Sequence, residues 1–397
     1  MNLVPKELFE YMVSIRRRIH KHPELAYQEE NTAAIIIEEL NKLGIEANTG
    51  IGKTGVIGRI CSSHNADPAV ALRADMDALA INEKTGLEFA SEINGVMHAC
   101  GHDGHIAMLL GAATLLKESI KTGSVLLVFQ PAEEGGGGAQ KIMDSGLLAK
   151  ADAIFACHLD RHFKVGELVV QQGPISAFTD RFDINVKGKG GHAAQPHDTV
   201  DAIVIASLIV MTLQTIVSRE VNPIHPSIIS VGKIEGGSVP NAVADSARLS
   251  GTIRTTETHV RKQIKAGIQR IANAAGTLHN ADVKVEFIEG YPSVINTIEE
   301  SKIARQAVIN AIGDEALVDT QYVTMGGEDF SFYLEKIPGC LVRLGAQKVG
   351  LENVPAHSST FDFDENALGI GAVFLAEVAK LSIDHLIKKT AGSSSTN

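Results

Sequence analysis

The sequence predicts an α/β protein of two domains: a mostly parallel sheet with helices on both faces, interrupted by a ferredoxin-like βαββαβ unit. Three observations carry this. In the first half, short apolar runs alternate with helical patterns. Ala69–Arg73, Ser124–Gln130 and Ala153–Cys157 read as strands, and Ile106–Lys117 and Ala139–Leu148 as helices, the alternation of a parallel sheet. From residue 180 the rhythm changes to a strand over Arg181–Lys187, a helix over Thr199–Val217 and strands over Ser227–Ile234 and Ala247–Arg254. A helix over Glu257–Ala275 and a strand over Val283–Ile288 complete the β-α-β-β-α-β order. After Tyr291-Pro292 the first pattern resumes with Glu299–Ile312, Cys340–Leu344 and a last helix from Glu365 to Lys380. The larger domain is therefore discontinuous, residues 1–180 and 291–387, around an insert at 181–290, with a disordered polar tail at 388–397.

Composition narrows the classes. A chain of 397 residues, 44% apolar and 21% charged, suits a globular protein with a sizeable core. Its net charge of -11 argues against nucleic acid as a partner, and the run Arg16-Arg17-Arg18 sits in a helical pattern as a solvated face. The start Met1–Glu7 lacks an apolar signal core. No apolar stretch of roughly eighteen residues stands out, so no membrane span is expected. Cys61, Cys100, Cys157 and Cys340 are too scattered for a disulfide framework and suit a reducing, cytoplasmic location.

The densest chemistry lies in Met97–His105, where His98, Cys100, His102, Asp103 and His105 crowd together. Soft sulfur and borderline nitrogen donors at this density suit a divalent transition metal. Further polar groups follow each predicted strand: Asp75 and Asp77 the first, Glu133 and Glu134 the second, His158 the third. Ligands bind outside the carboxyl ends of strands in open α/β sheets, so the three clusters converge on one site. Two adjacent carboxylates point in different directions, one able to coordinate metal and the other to move protons. Taken alone, His158 reads equally as a core histidine and His357 as a plain loop histidine.

These residues carry a family resemblance. His22-Pro23-Glu24-Leu25, Arg73-Ala-Asp75-Met-Asp77-Ala-Leu79, His98-Ala-Cys-Gly-His-Asp103 and Gln130-Pro-Ala-Glu-Glu-Gly135 occur in that order. Gly190-Gly-His192-Ala-Ala-Gln-Pro196, Gly236-Gly-Ser-Val-Pro-Asn241, Gly251-Thr-Ile-Arg254, Gly326-Gly-Glu-Asp-Phe330 and the His357 loop complete it. The chain resembles the amidohydrolase family of hippurate hydrolases, indole-3-acetic acid–amino acid hydrolases and N-acyl-amino-acid deacetylases, within the two-metal aminoacylases and carboxypeptidases. Two departures stand out. Ala80 replaces a usual proline, and Cys157-His158-Leu-Asp-Arg-His162 replaces the commoner Gly-Leu-His-Val beginning.

The resemblance implies that Cys100, His102, Glu134, His158 and His357 hold two divalent ions, Zn²⁺ or Mn²⁺ first, with Co²⁺ or Ni²⁺ able to serve. Glu133 corresponds to the general base and His192, on the insert, to the group that steadies the oxyanion. Asn241 and Arg254 are candidates for gripping a substrate carboxylate. Asp75, Asp77 and Asp103 are expected to orient the ligand imidazoles. The implied reaction is metal-dependent hydrolysis of a small N-acyl amino acid to a carboxylic acid and a free amino acid. Hinges at 178–181 and 289–292 let the insert act as a lid, and the same insert is expected to pair two subunits as a homodimer. The alternatives are a dipeptidase or carboxypeptidase with the same chemistry, and a non-catalytic metal-binding protein.

Overall fold

The computed structural model describes residues 3–61 and 68–393. They form two compact units, Met1–Gly173 with Val294–Tyr322 and Asp329–Asn397, and Pro174–Ser293 with Val323–Glu328. The second unit is wider than the expected insert at both ends. Its extra pieces are tied by backbone bonds: Ala177 N–H to Gly326 O, and Thr324 N–H to Ile175 O, both 3.1 Å. These strand-like links join segments distant in sequence, which periodicity does not register.

The first unit is built on a seven-stranded sheet. Its order is Glu46–Ile51, Gly55–Cys61, Ser124–Gln130, Ala69–Asp75, Ala151–Asp160, Gly339–Gly345 and Leu168–Val169. The inner four strands are parallel and the outer pairings antiparallel. Every residue of Ala69–Asp75 and Ser124–Gln130 is buried. That is why these strands read as continuous apolar runs and not as alternation. Because Ser124–Gln130 and Ala151–Asp160 flank Ala69–Asp75, the polar residues ending all three strands lie side by side.

Helix His102–Lys117 packs against the long C-terminal helix Asn366–Ser393 and against Lys6–Lys21. Gly111 allows that approach: a Cβ there would clash with Met12 of the first helix and lie 3.0 Å from Ala372 of the last. The last helix runs on through Lys388 to Ser393, so the expected disordered tail is corrected. Lys388–Ala391 continue the helix with exposed side chains, and 394–397 lie outside the described residues. Two helices, Ala202–Glu220 and Asn366–Ala391, are long and apolar enough to cross a membrane by length and composition, contrary to the expectation of none. The second is 72% buried, as a core helix of the fold.

Arg16, expected on a solvated helix face, is instead fully buried where three distant segments meet. Its Nε donates to Asp103 Oδ2 at 2.9 Å, its Nη2 to Asp362 Oδ1 at 2.7 Å and its Nη1 to Glu365 Oε1 at 3.0 Å. Phe89 and Phe363 lie 4.7 and 4.3 Å from the guanidinium carbon. His20 shares the cluster, with Nδ1 2.8 Å from Asp103 and Nε2 3.4 Å from Glu83.

The second unit has a four-stranded antiparallel sheet in the order Ser227–Gly236, Ser246–Thr255, Phe178–Lys187, Asp282–Ile288. With helices Ala202–Thr215 and Thr258–His279, the chain order is β-α-β-β-α-β. Ser246–Thr255 alternates in burial, one face on a core of Phe182, Ile184, Ile205, Leu249 and Ile268. The first helix starts at Ala202 because the Asp201 side chain accepts from the N–H groups of Ile203 and Val204.

His20 makes the fold sensitive to pH. Burial alone would lower its proton affinity, but Asp103 and Glu83 raise the pKa to about 9. The folded value lies above the ordinary one near 6.5, so protonation stabilises the fold. That contribution is fully present below about pH 6.5 and is lost as the pH rises through about 9. Urea unfolding across this range should show wild-type stability falling more steeply than that of His20→Gln; parallel curves would refute the linkage.

Candidate metal centre

Main-chain bonds hold the ligand-bearing loop. Leu79 and Met97 exchange N–H···O bonds of 3.0 Å. Gly101, at φ +89°, then turns the chain into the helix that begins at His102. His102 Nδ1 lies 2.8 Å from Asp77 O, and His158 Nδ1 lies 2.8 Å from Leu159 O. A carbonyl can only accept, so each Nδ1 carries the proton and each Nε2 keeps its lone pair. His158 Nε2 lies 3.8 Å from Cys100 Sγ. His102 Nε2 is buried with no hydrogen-bond partner, an orphan that a cation would satisfy.

The other side of the site is built by Glu134 and His357. His357 sits at φ +64° with its N–H on Ala99 O at 2.8 Å, which brings the far end of the chain against the Cys100 loop. Its Nε2 is 2.9 Å from Glu134 Oε1, yet that oxygen makes no well-formed hydrogen bond. The approach is close and poorly angled, as two ligands of one ion are.

The ligand atoms of Cys100, His102 and His158 lie within 4.8 Å of one another, as do those of Cys100, Glu134 and His357. The two groups have Cys100 in common, and their thiol, imidazole and carboxylate donors fit divalent metal. Burial, and then Glu134, push the Cys100 thiol up to about 12, so it ionises only beside a cation. Burial disfavours charge on His102, but Asp75 and Asp77 outweigh it and raise its proton affinity. The cavity is anionic and draws positive charge.

His105 is a different case. Its Nδ1 is 2.5 Å from Asp75 Oδ1 and its Nε2 accepts the Leu159 N–H at 3.0 Å, so no lone pair is left for a metal. Burial lowers the His98 pKa to about 4, and this imidazole stays neutral.

Glu133 and Glu134 leave the end of Ser124–Gln130 through Ala132, which holds φ +54°. The two oxygens of Asp77 accept the Glu133 and Glu134 N–H groups at 3.0 and 2.9 Å. Glu133 forms groups within 4.8 Å with His102 and Glu134 and with Glu328 and Asp329, and is in neither of the two groups that contain Cys100.

In the second unit, Gly191–His192 pairs with Ala242–Val243, and Ala193 N–H donates to Asn241 O at 3.1 Å. His192 and Asn241 share the lining of a cavity of about 710 Å³. His192 Nδ1 accepts the Ala194 N–H at 3.0 Å, which places the ring proton on the exposed Nε2. Arg254 is half-buried on the Ser246–Thr255 strand opposite Thr179, donates to Ile253 O at 3.1 Å and does not line that cavity.

The sequence profile of peptidase family M20/M25/M40 matches residues 71–381. The chain belongs to this family. It is similar to the IAA-amino acid hydrolase ILR1-like 4 of Arabidopsis thaliana, 40% identical over 94% of this chain and 86% of that protein. It is 41% identical to the N-acetyl-L-cysteine deacetylase of Bacillus subtilis strain 168, over 94% and 88% of the two chains. Among solved structures, a dinuclear metal-binding M20 peptidase from Bacillus subtilis superposes with a TM-score of 0.85 and 34% identity, covering 96% and 99% of the chains. This M20 chain is accordingly a metal-dependent hydrolase.

Within the M20 site, two expectations need correction. Asp103 makes no hydrogen bond to a ligand imidazole among the described residues: its carboxylate meets Arg16 and His20. Asp75 steers His105 at 2.5 Å, a ring excluded from the ligand set, and lies 3.7 Å from His102 Nε2. Asp77 does orient His102, but through its main-chain oxygen. Sequence reasoning also missed Asp329. It accepts from Arg73, Gln130 and the Ala139 N–H at 2.9–3.0 Å, and its own N–H donates to Glu133 Oε1 at 3.4 Å. The Gly-Gly-Glu-Asp-Phe motif signalled the place but not the role.

Elemental analysis of dialysed variants separates the two imidazoles. His102→Ala should lose bound metal and His105→Gln should retain it; loss from both would make His105 a ligand.

Proposed function

We propose that this chain hydrolyses the amide bond of N-acyl amino acids, releasing a carboxylic acid and a free amino acid. One observation carries the reading: of two consecutive carboxylates, Glu134 groups with Cys100 and His357, while Glu133 groups with His102 and Glu134 and with Glu328 and Asp329 but not with Cys100. The names of the hydrolase and deacetylase relatives support the acyl-amino-acid class. Cys100, His102, Glu134, His158 and His357 would hold two divalent ions, Zn²⁺ or Mn²⁺ first, and Co²⁺ or Ni²⁺ in the same donors. When bound, such ions polarise a substrate carbonyl and acidify water.

The chain's own residues then do the following. Glu133 takes a proton from the attacking water and returns it to the departing nitrogen. His192 Nε2–H donates to the oxygen that gains charge, a role its observed tautomer supports. Asn241 and Arg254 are the proposed receptors of the substrate carboxylate.

A homodimer through the second unit belongs to the same reading. Ile203, Val204, Leu208 and Met211 form an exposed apolar stripe on its first helix, and Ser227–Gly236 is an edge strand. A cytoplasmic site of action is supported by four free thiols.

Amino-acid release from N-acetyl, N-benzoyl and indole-3-acetyl amino acids, with dipeptides alongside, tests the proposal on metal-reconstituted protein. Glu133→Gln should lower kcat by about 10²–10⁴-fold with metal content retained; a fully active variant would remove Glu133 as the base. His192→Ala should lower kcat by about 10²–10³-fold, again with bound metal unchanged. A parallel loss of metal would assign His192 a different role.

A further inference from the structure

We infer that Glu29 is a positioning residue whose buried carboxylate locks the backbone turn that aims Glu133 and Glu134. Glu29 is fully buried and stands just before helix Glu30–Lys42, yet its side chain does not cap that helix. It reaches across to two other loops. Oε1 accepts the Ala132 N–H at 2.9 Å and Oε2 accepts the Thr54 hydroxyl at 2.6 Å. Among the described residues no Lys, Arg or His forms an ion pair with it, and burial raises its pKa above the ordinary carboxylate value.

A buried carboxylate without a cation is costly, and the packing alone does not require one. A glutamine fills the same space, accepts from the Ala132 N–H and donates to the Thr54 hydroxyl. What the carboxylate adds is a charge-assisted bond, delivered at Ala132, whose φ of +54° an alanine rarely adopts. The opposite side of Ala132 is also clamped. Its carbonyl accepts the Gly138 N–H at 3.1 Å, and a Cβ on Gly136 would come within 2.5 Å of its methyl group. Relaxing this one residue would rotate the two carboxylates that follow. Glu29 thus acts through Ala132, and the inference rests on the reading of Glu133 as base and Glu134 as ligand.

Three variants of the full chain test it: Glu29→Gln, Ala132→Gly and the double variant. Glycine takes a positive φ without strain. Glu29→Gln should melt at or above the wild-type temperature, while amide exchange of a peptide spanning 130–139 quickens and Zn²⁺ affinity, by chelator competition, weakens by about tenfold. Ala132→Gly should reduce both losses in the double variant. Unchanged exchange and Zn²⁺ affinity in Glu29→Gln would overturn the inference. So would a melting temperature far below wild type, which would make the residue merely structural. Glu133→Gln, assayed for amino-acid release beside these, fails separately. If it stays active, the base assignment falls while the exchange and Zn²⁺ results still decide the role of Glu29.

Discussion

The geometry of the metal centre depends on Asp77 more than on any ligand. This buried residue lies two positions beyond the strand Ala69–Asp75 and touches both halves of the chemistry. Its main-chain oxygen fixes the tautomer of His102, and its carboxylate holds the backbone N–H groups of Glu133 and Glu134. Charge-assisted bonds of this kind are strong and directional, so Asp77 ties the ligand imidazole to the carboxylate pair, whose turn Glu29 holds through Ala132. Sheet order makes this possible. Ala69–Asp75 lies between the strand that leads to the glutamates and the strand that ends near His158, so a residue following it reaches both.

How much of this was legible follows the same physics. Parallel strands buried on both faces announce themselves as apolar runs, and the polar residues at their ends follow from strand direction. Cys100, His102 and Glu134 stood out among clustered donors, whereas His158 and His357 were implied only by the family resemblance. Orientation was not visible. Asp103 and Asp75 stand in the right motifs, but which imidazole a carboxylate faces depends on the helix phase and on Arg16, 87 residues away from Asp103. His105 looked as metal-like as His102 until its two nitrogens proved engaged. Asp329 bonds to the side chains of Arg73 and Gln130 and to the Ala139 N–H, and Glu29 to the Ala132 N–H and the Thr54 hydroxyl; partners so far apart in sequence leave no pattern in residue types.

The electrostatics give the anionic cavity a second meaning. Glu29, Asp75, Asp77, Glu133 and Asp329 are all buried, and Arg73 is the cation that bridges Asp75 and Asp329. The carboxylates that raise the proton affinity of His102, and the Glu134 charge that adds to burial at the Cys100 thiol, favour any other cation in the proton's place. Protons and divalent ions therefore compete for one set of lone pairs, and metal uptake must release protons. His158 differs, because burial keeps its proton affinity low and its Nε2 open. The centre thus combines a donor that is ready with donors that must be deprotonated. Rigid carboxylates held by backbone N–H groups let it bear that charge without collapsing onto itself, since each is fixed by bonds that do not depend on the ion.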